Sequence, residues 1–259
     1  GWSFGPEKSE RVLPHMSWIR FTVAAGTPEG YARIMYKGPE HTEVFDNAME
    51  NISHAIAYKK KHNLSVTIGI QMVLMPEFAD EIIPFAQLGL DLGADYAVIK
   101  HCSDDETQSL GVDYSKYESM YDLLETAEAM STSETKIVVK WDKINDKGQH
   151  SYSRFYGPAF LLQISGSGLV APSGMFFNAR HSKLHIGDFT TERFIDMFNS
   201  DRYWRAMNYL ASPAFDAKTQ LGLLSIQHYV STALDNHVKG IKKIVPPASR
   251  EEPLHVNFL

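Results

Sequence analysis

The reactive side chains of this sequence gather at the ends of its apolar runs. YAVIKHC (96–102) closes on Lys100, His101 and Cys102. A thiol beside two potential cations can have a lowered pKa, which makes these three the most nucleophilic set in the chain. If the run is a strand, alternation points one or two of them away from a common mouth. WIRFTVAA (18–25) offers Arg20 and Thr22, LSVTIGIQMVL (64–74) offers Gln71, and KIVVKW (136–141) carries Lys140 and leads to Asp142. His181 and His185 stand four apart, a spacing that suits a metal only on a helical face. They fall in an expected loop or strand, where that spacing spans about 13 Å. No HExxH, HxH or Cys/His pair joins them. No GxGxxG follows a strand-like run and no GxxxxGK[ST] is present, and Ser173, in Pro-Ser-Gly, has no readable base beside it.

These groups sit on alternating blocks. The four apolar runs 18–25, 64–74, 96–102 and 136–141 read as strands buried on both faces. Between them, 43–61 has Phe45, Met49, Ile52 and Ile56 on one helical face, 77–91 is helical after the Met75-Pro76 break, and 114–130 is amphipathic. Leu92-Gly93-Ala94-Asp95 is a helix-ending turn. Strands spaced by helices imply a parallel sheet with covered faces, and in such folds reacting groups sit at the C-terminal strand ends. The pattern changes near residue 145. Residues 145–153 are polar and read as a loop, and AFLLQIS (159–165) with LVAP (169–172) flanks GSG (166–168) as a hairpin. A short His185-Ile186-Gly187-Asp188 segment follows, then a helix over 191–210 with a break near Asn199-Ser200, and a helix over 219–238. The tail from 245 has little periodicity.

The 259 residues carry a formal net charge of −6, with 44% hydrophobic and 22% charged residues. That balance belongs to a globular chain and gives no electrostatic footprint for nucleic acid or an anionic membrane. The basic run Lys59-Lys60-Lys61 reads as the solvated end of a helix, where it complements the helix dipole. No apolar run reaches membrane-spanning length and no signal-peptide pattern is present, so the expected location is cytoplasmic. A single cysteine excludes an internal disulfide framework and an all-cysteine metal site.

The second half resembles a known arrangement. YGPAFLLQISGSGLVAPSGMFF, HIGDFTTERFIDMFNSDRYW and QLGLLSIQHYV are similar to the SPASM or twitch extension of radical S-adenosylmethionine enzymes. WIRFTVAAG, VTIGIQMVL and YAVIKHC resemble the fourth, fifth and sixth strands of the partial barrel in those enzymes, and the resemblance covers about residues 1–240. It implies the C-terminal part of a parallel, partial TIM-like (β/α) barrel over 1–145, a small α+β SPASM/twitch-like domain over 146–240, and a tail over 241–259. It also implies S-adenosylmethionine and a 4Fe-4S cluster as the parent family's cofactors, with a 5′-deoxyadenosyl radical modifying a peptide or protein. Arg20, Thr22 and Gln71 would contact the S-adenosylmethionine, and Lys100 and His101 would face the substrate.

The same resemblance exposes departures. The family's CxxxCxxC loop would lie upstream of Gly1, so the chain reads as continuing from a barrel half that precedes it. The hairpin's first cysteine falls near Phe155 or Tyr156 and its second on Ser173. A later cysteine cluster falls near Leu221 and Leu224 or Ser225. Serine ionises far less readily than cysteine, and leucine cannot ligate at all, so no iron–sulfur cluster is expected on this chain as it stands. Three origins remain open: a piece of an enzyme, a chain with its cysteines exchanged, or a degenerate relative kept as a catalytically inactive binding module.

Overall fold

Parallel strands cannot be joined by tight turns, and the sequence supplies a helix between each pair of apolar runs. The computed structural model describes residues 1–36, 41–105, 107–222 and 227–245. It forms two compact units. Among the described residues, one is made of Gly1–Cys102 and Val112–Lys147, the other of Ser103–Gly111 and residues 148–245.

The first unit is a four-stranded parallel sheet in sequential order: β1 (Trp18–Thr22), β2 (Thr67–Leu74), β3 (Tyr96–His101) and β4 (Lys136–Val139). Its helices are α1 (Pro6–Val12), α2 (Pro28–Tyr36), α3 (Thr42–His62), α4 (Ile82–Leu92), α5 (Tyr121–Ala129) and α6 (Trp141–Asn145). Alternation sends Phe21, Ile68, Ile70, Met72, Leu74, Ala97, Ile99, Ile137 and Val139 to one face. There they join Ile52 and Ile56 of α3, Phe85 of α4 and Leu124 of α5 in one buried core. Removing this apolar surface from water is the main stabilising term.

The local chemistry departs from the sequence reading in places. The helix expected over 77–91 opens as a 3-10 segment, Pro76–Glu81, kinked at Phe78, and becomes α-helical only at Ile82. The helix expected over 114–130 likewise begins as the 3-10 segment Tyr114–Met120, where Asp113 accepts a hydrogen bond from the Ser115 N–H at 3.1 Å. Helices α1, α2 and α6 have no counterpart in that reading. They span five to nine residues, too short for a clear apolar period.

The second unit has a small antiparallel sheet in the order β5 (Gln163–Ile164), β6 (Leu169–Ala171), β7 (Gly187–Asp188). The hairpin expected around Gly166–Gly168 is present: Ile164 pairs with Val170, and Gly168 turns the chain at φ 93°, open to glycine but strained for other residues. Its helices are α7 (Phe194–Phe198), α8 (Asp201–Ala211), α9 (Ala217–Gln220) and α10 (His228–Val238). The break expected near Asn199-Ser200 is real. The Ser200 hydroxyl caps α8 by accepting from the Tyr203 N–H at 3.3 Å. The continuous helix expected over 219–238 is not formed, because Leu221 is extended (φ −125°, ψ 123°) and α10 starts at His228. Tyr152, Phe155, Val170, Phe176, Ile186, Tyr203, Leu210 and Phe215 form this unit's core. Among the described residues no helix is long and apolar enough to cross a membrane.

Candidate functional site

The core of the first unit occupies one face of its sheet; the other face carries the polar side chains. The register builds that face row by row. Arg20 pairs with Gly69, and Gly69 with Tyr96. One step further along the strands, Thr22 pairs with Gln71, Gln71 with Val98, and Val98 with Val138. Another step on, Val73 pairs with Lys100. Val139 pairs with Ile99, and the Lys140 N–H donates to the Ile99 carbonyl at 2.9 Å, so Lys140 is the neighbour of Lys100. Residues two apart on a strand share a face. Arg20, Thr22, Gln71 and Lys100 therefore share one, and Lys140, the residue after β4, stands beside Lys100 at its C-terminal edge.

Gly69 shapes the floor. A Cβ there would lie 2.2 Å from the Tyr96 ring, so only glycine admits the ring over β2. Tyr96 is buried, and burial raises its pKa, while the nearby Arg20 works in the other direction and Asp95 adds to the rise. The Arg20 guanidinium also lies 5.9 Å from the centre of the Trp18 ring, within cation–π reach. Gln71 is buried at 4% exposure, whereas Thr22 is exposed.

The electrostatics of this face are one-sided. Lys100 is half-buried and is held down to about 8, first by burial and then by the charges of Lys143, Arg20 and Lys140, with Cys102 acting in the opposite sense. Lys140 is held down to about 8 by burial, Arg20 and Lys143, offset by Asp142. Lys143 on α6 is lowered by burial and by Arg20, with Asp146 opposing. Four cations thus lie close enough to disfavour one another. Lys143 belongs to α6, which the sequence reading leaves as strand end and loop. The Lys140 to Lys143 spacing of three is the only signal that could have found it.

His101 takes the other face. It is buried against Tyr114 and Tyr117, with ring centres 5.5 Å and 6.0 Å away. Its Nδ1 lies 2.7 Å from the Cys102 carbonyl; a carbonyl only accepts, so Nδ1 carries the hydrogen. The Tyr117 hydroxyl accepts from the Cys102 N–H at 3.1 Å and donates to the Leu74 carbonyl, which ties the ends of β2 and β3 together. Cys102 is buried in this same arrangement. Lys100 and His101, expected together, are parted by strand alternation.

In the second unit, Ser173 follows β6 and is fully buried. Its hydroxyl has no hydrogen-bond partner among the described residues. Phe155 and Leu221, which the resemblance aligns with ligand positions, lie in the apolar core; Leu224 and Ser225 lie outside the described residues. Of the apolar residues in and beside the hairpin, Val170 is buried, Leu161 and Leu169 are half-buried, and Ile164 is 50% exposed. The His185 Nε2 lies 2.8 Å from the Phe176 carbonyl and so donates to it. Among the described residues no group of three or more His, Cys, Asp or Glu is placed to hold a metal ion. No family model matches the sequence, and no curated protein matches it.

Proposed function

We propose that this chain is a binding module on a scaffold like that of the radical S-adenosylmethionine enzymes, and that its parallel-sheet face holds an anion. The observation that carries this reading is the sharing of one face by Arg20 and Lys100, with Lys140 and Lys143 beside them. Like charges across adjacent strands destabilise a sheet. An anionic group relieves that repulsion on binding, with lysine ammonium groups as point donors and Arg20 as a planar, bidentate one. Thr22 and Gln71, one row below the lysines, can accept from and donate to neutral polar atoms of the same ligand.

The two cofactors of the resembled family fit unequally. The hairpin offers a buried serine hydroxyl and apolar neighbours, and the chain's one thiol, Cys102, is enclosed beside Tyr117. This donor set does not fit an iron–sulfur cluster, which needs thiolates. The cationic face suits the carboxylate of S-adenosylmethionine but opposes its sulfonium charge. A phosphate or carboxylate compound matches the face better, and a peptide or protein partner would present such a group as an acidic side chain or a terminus.

Titration with inorganic pyrophosphate tests the reading. Saturable binding by calorimetry is expected, together with a rise in thermal midpoint. Both should weaken with ionic strength and in Lys140→Ala and Lys143→Ala. Binding that is absent, or that survives both substitutions unchanged, overturns it. Iron and sulfide reconstitution that yields cluster absorbance and 5′-deoxyadenosine from this chain would overturn the binding-module part.

A further inference from the structure

We propose that Lys100 is a carbonyl-reactive amine that forms a Schiff base with a phosphorylated or carboxylated aldehyde or ketone held on the cationic face. The proposal rests on the anion-binding reading above and names the chemistry of its ligand.

The geometry singles out Lys100. It lies inside β3, next to Ile99, whose carbonyl accepts from the N–H of Lys140, the residue that follows β4. The charges of Arg20, which shares its sheet face, and of Lys143 on α6 also act on it. Among the described residues the Lys100 side chain makes no hydrogen bond and no salt bridge. Other lysines of this unit are paired: Lys59 lies 2.5 Å from Asp95, and Lys147 contacts Glu118. A desolvated lysine next to other cations is the standard arrangement for amine nucleophiles, because both influences favour the neutral form. The value of about 8 agrees with this placement. It leaves roughly a quarter of the amine neutral at pH 7.5, against about one part in a thousand for an ordinary lysine. Lys140 is the residue ahead of α6 and has a further interaction of its own, which suits it to the accessory role.

The step balances without oxidant or reductant. The Lys100 nitrogen lone pair attacks the carbonyl carbon, and the C=O π pair moves to oxygen, which takes a proton from the Lys140 ammonium. The nitrogen loses its extra proton to the neutral Lys140 amine. That proton then leaves with the carbinolamine hydroxyl as water, and the nitrogen lone pair closes the C=N bond. Arg20 and Lys143 hold the anionic end of the compound throughout.

The test uses pyridoxal 5′-phosphate as the probe, borohydride to trap the imine, and peptide mass spectrometry to locate it. Lys100 is expected to be labelled about tenfold faster than exposed Lys61 at pH 7.5, with protection by pyrophosphate and no label at that position in Lys100→Arg. In Lys140→Met, labelling of Lys100 should slow, and its pH profile should move upward because one of the facing cations (Arg20, Lys140, Lys143) is gone. Circular dichroism checks that each variant folds. Labelling of Lys100 no faster than Lys61 in the folded protein overturns the proposal, whatever pyrophosphate does. Pyridoxal, the same aldehyde without the phosphate, separates the two readings: fast labelling by both aldehydes without pyrophosphate protection keeps the amine and sinks the anion site. Pyrophosphate binding without trapping keeps the anion site and sinks the amine.

Discussion

Glu81 holds Thr27 by both of its carboxylate oxygens. Oε1 accepts from the Thr27 hydroxyl at 2.9 Å, while Oε2 accepts from the Thr27 N–H at 3.1 Å and from the Gly26 N–H at 2.9 Å. Glu81 is 5% exposed, so these bonds replace its hydration. They fix the loop that follows β1, and with it the mouth of the sheet face.

That arrangement predicts an uneven response to substitution. Glu81→Ala strips three donors of their acceptor inside the fold and is expected to cost about 2–4 kcal/mol in urea unfolding. Asp80→Ala removes the neighbouring pair to Arg33, in which both side chains are about half exposed, and should cost less than about 1 kcal/mol. Equal losses at the two positions would mean that the loop is not held by Glu81.

The lysine pair predicts a pH-dependent stability. Lys100 and Lys140 titrate near 8 in the fold, against 10.5 in the unfolded chain. Between those values the unfolded state holds more protons, so stability rises with pH through that window, and below about pH 8 the repulsion is present in full. Lys100→Met should raise the thermal midpoint at pH 7 by about 2–4 °C, equivalent to ~1 kcal/mol. The gain should shrink by pH 10, where the native lysine is neutral. A midpoint that falls at pH 7, in a folded variant, contradicts the repulsion.

Ser173 predicts a substitution that costs nothing. Its buried hydroxyl has no partner among the described residues, so Ser173→Ala removes an uncompensated polar group and leaves stability unchanged or higher by about 1 kcal/mol. A loss above about 1 kcal/mol in chemical denaturation would show that the hydroxyl is bonded in solution.

Gln227 predicts the opposite. It is fully buried, and its amide donates to the Leu161 carbonyl at 2.8 Å and the Pro172 carbonyl at 2.6 Å, which joins the start of α10 to both ends of the hairpin. Gln227→Leu fills the space but leaves two carbonyls unpaired, at an expected cost of about 2–4 kcal/mol. Hydrogen exchange of the β5–β6 amides should accelerate with it.

The sequence alone determines the strands and their kind of sheet. Runs apolar throughout and separated by helical blocks have no stable arrangement except a parallel sheet with helices covering it, and 18–22, 67–74, 96–101 and 136–139 are such strands. It also determines the glycine turn of the hairpin and the serine break ahead of α8, because φ above zero and an orphan helix N–H each select a residue type. It does not fix which of two adjacent reactive residues faces the site. In KHC every neighbour is chemically plausible, and a shift of one residue in strand register exchanges the faces. Pairing of Val73 with Lys100 and of Ile99 with Val139 puts Lys100 beside Lys140 and turns His101 toward Tyr114 and Tyr117. Lys143 and the cationic cluster come from the same source. The charges that meet on that face are distant in sequence, and only the folded sheet sets the low exposure and close approach through which they act on one another.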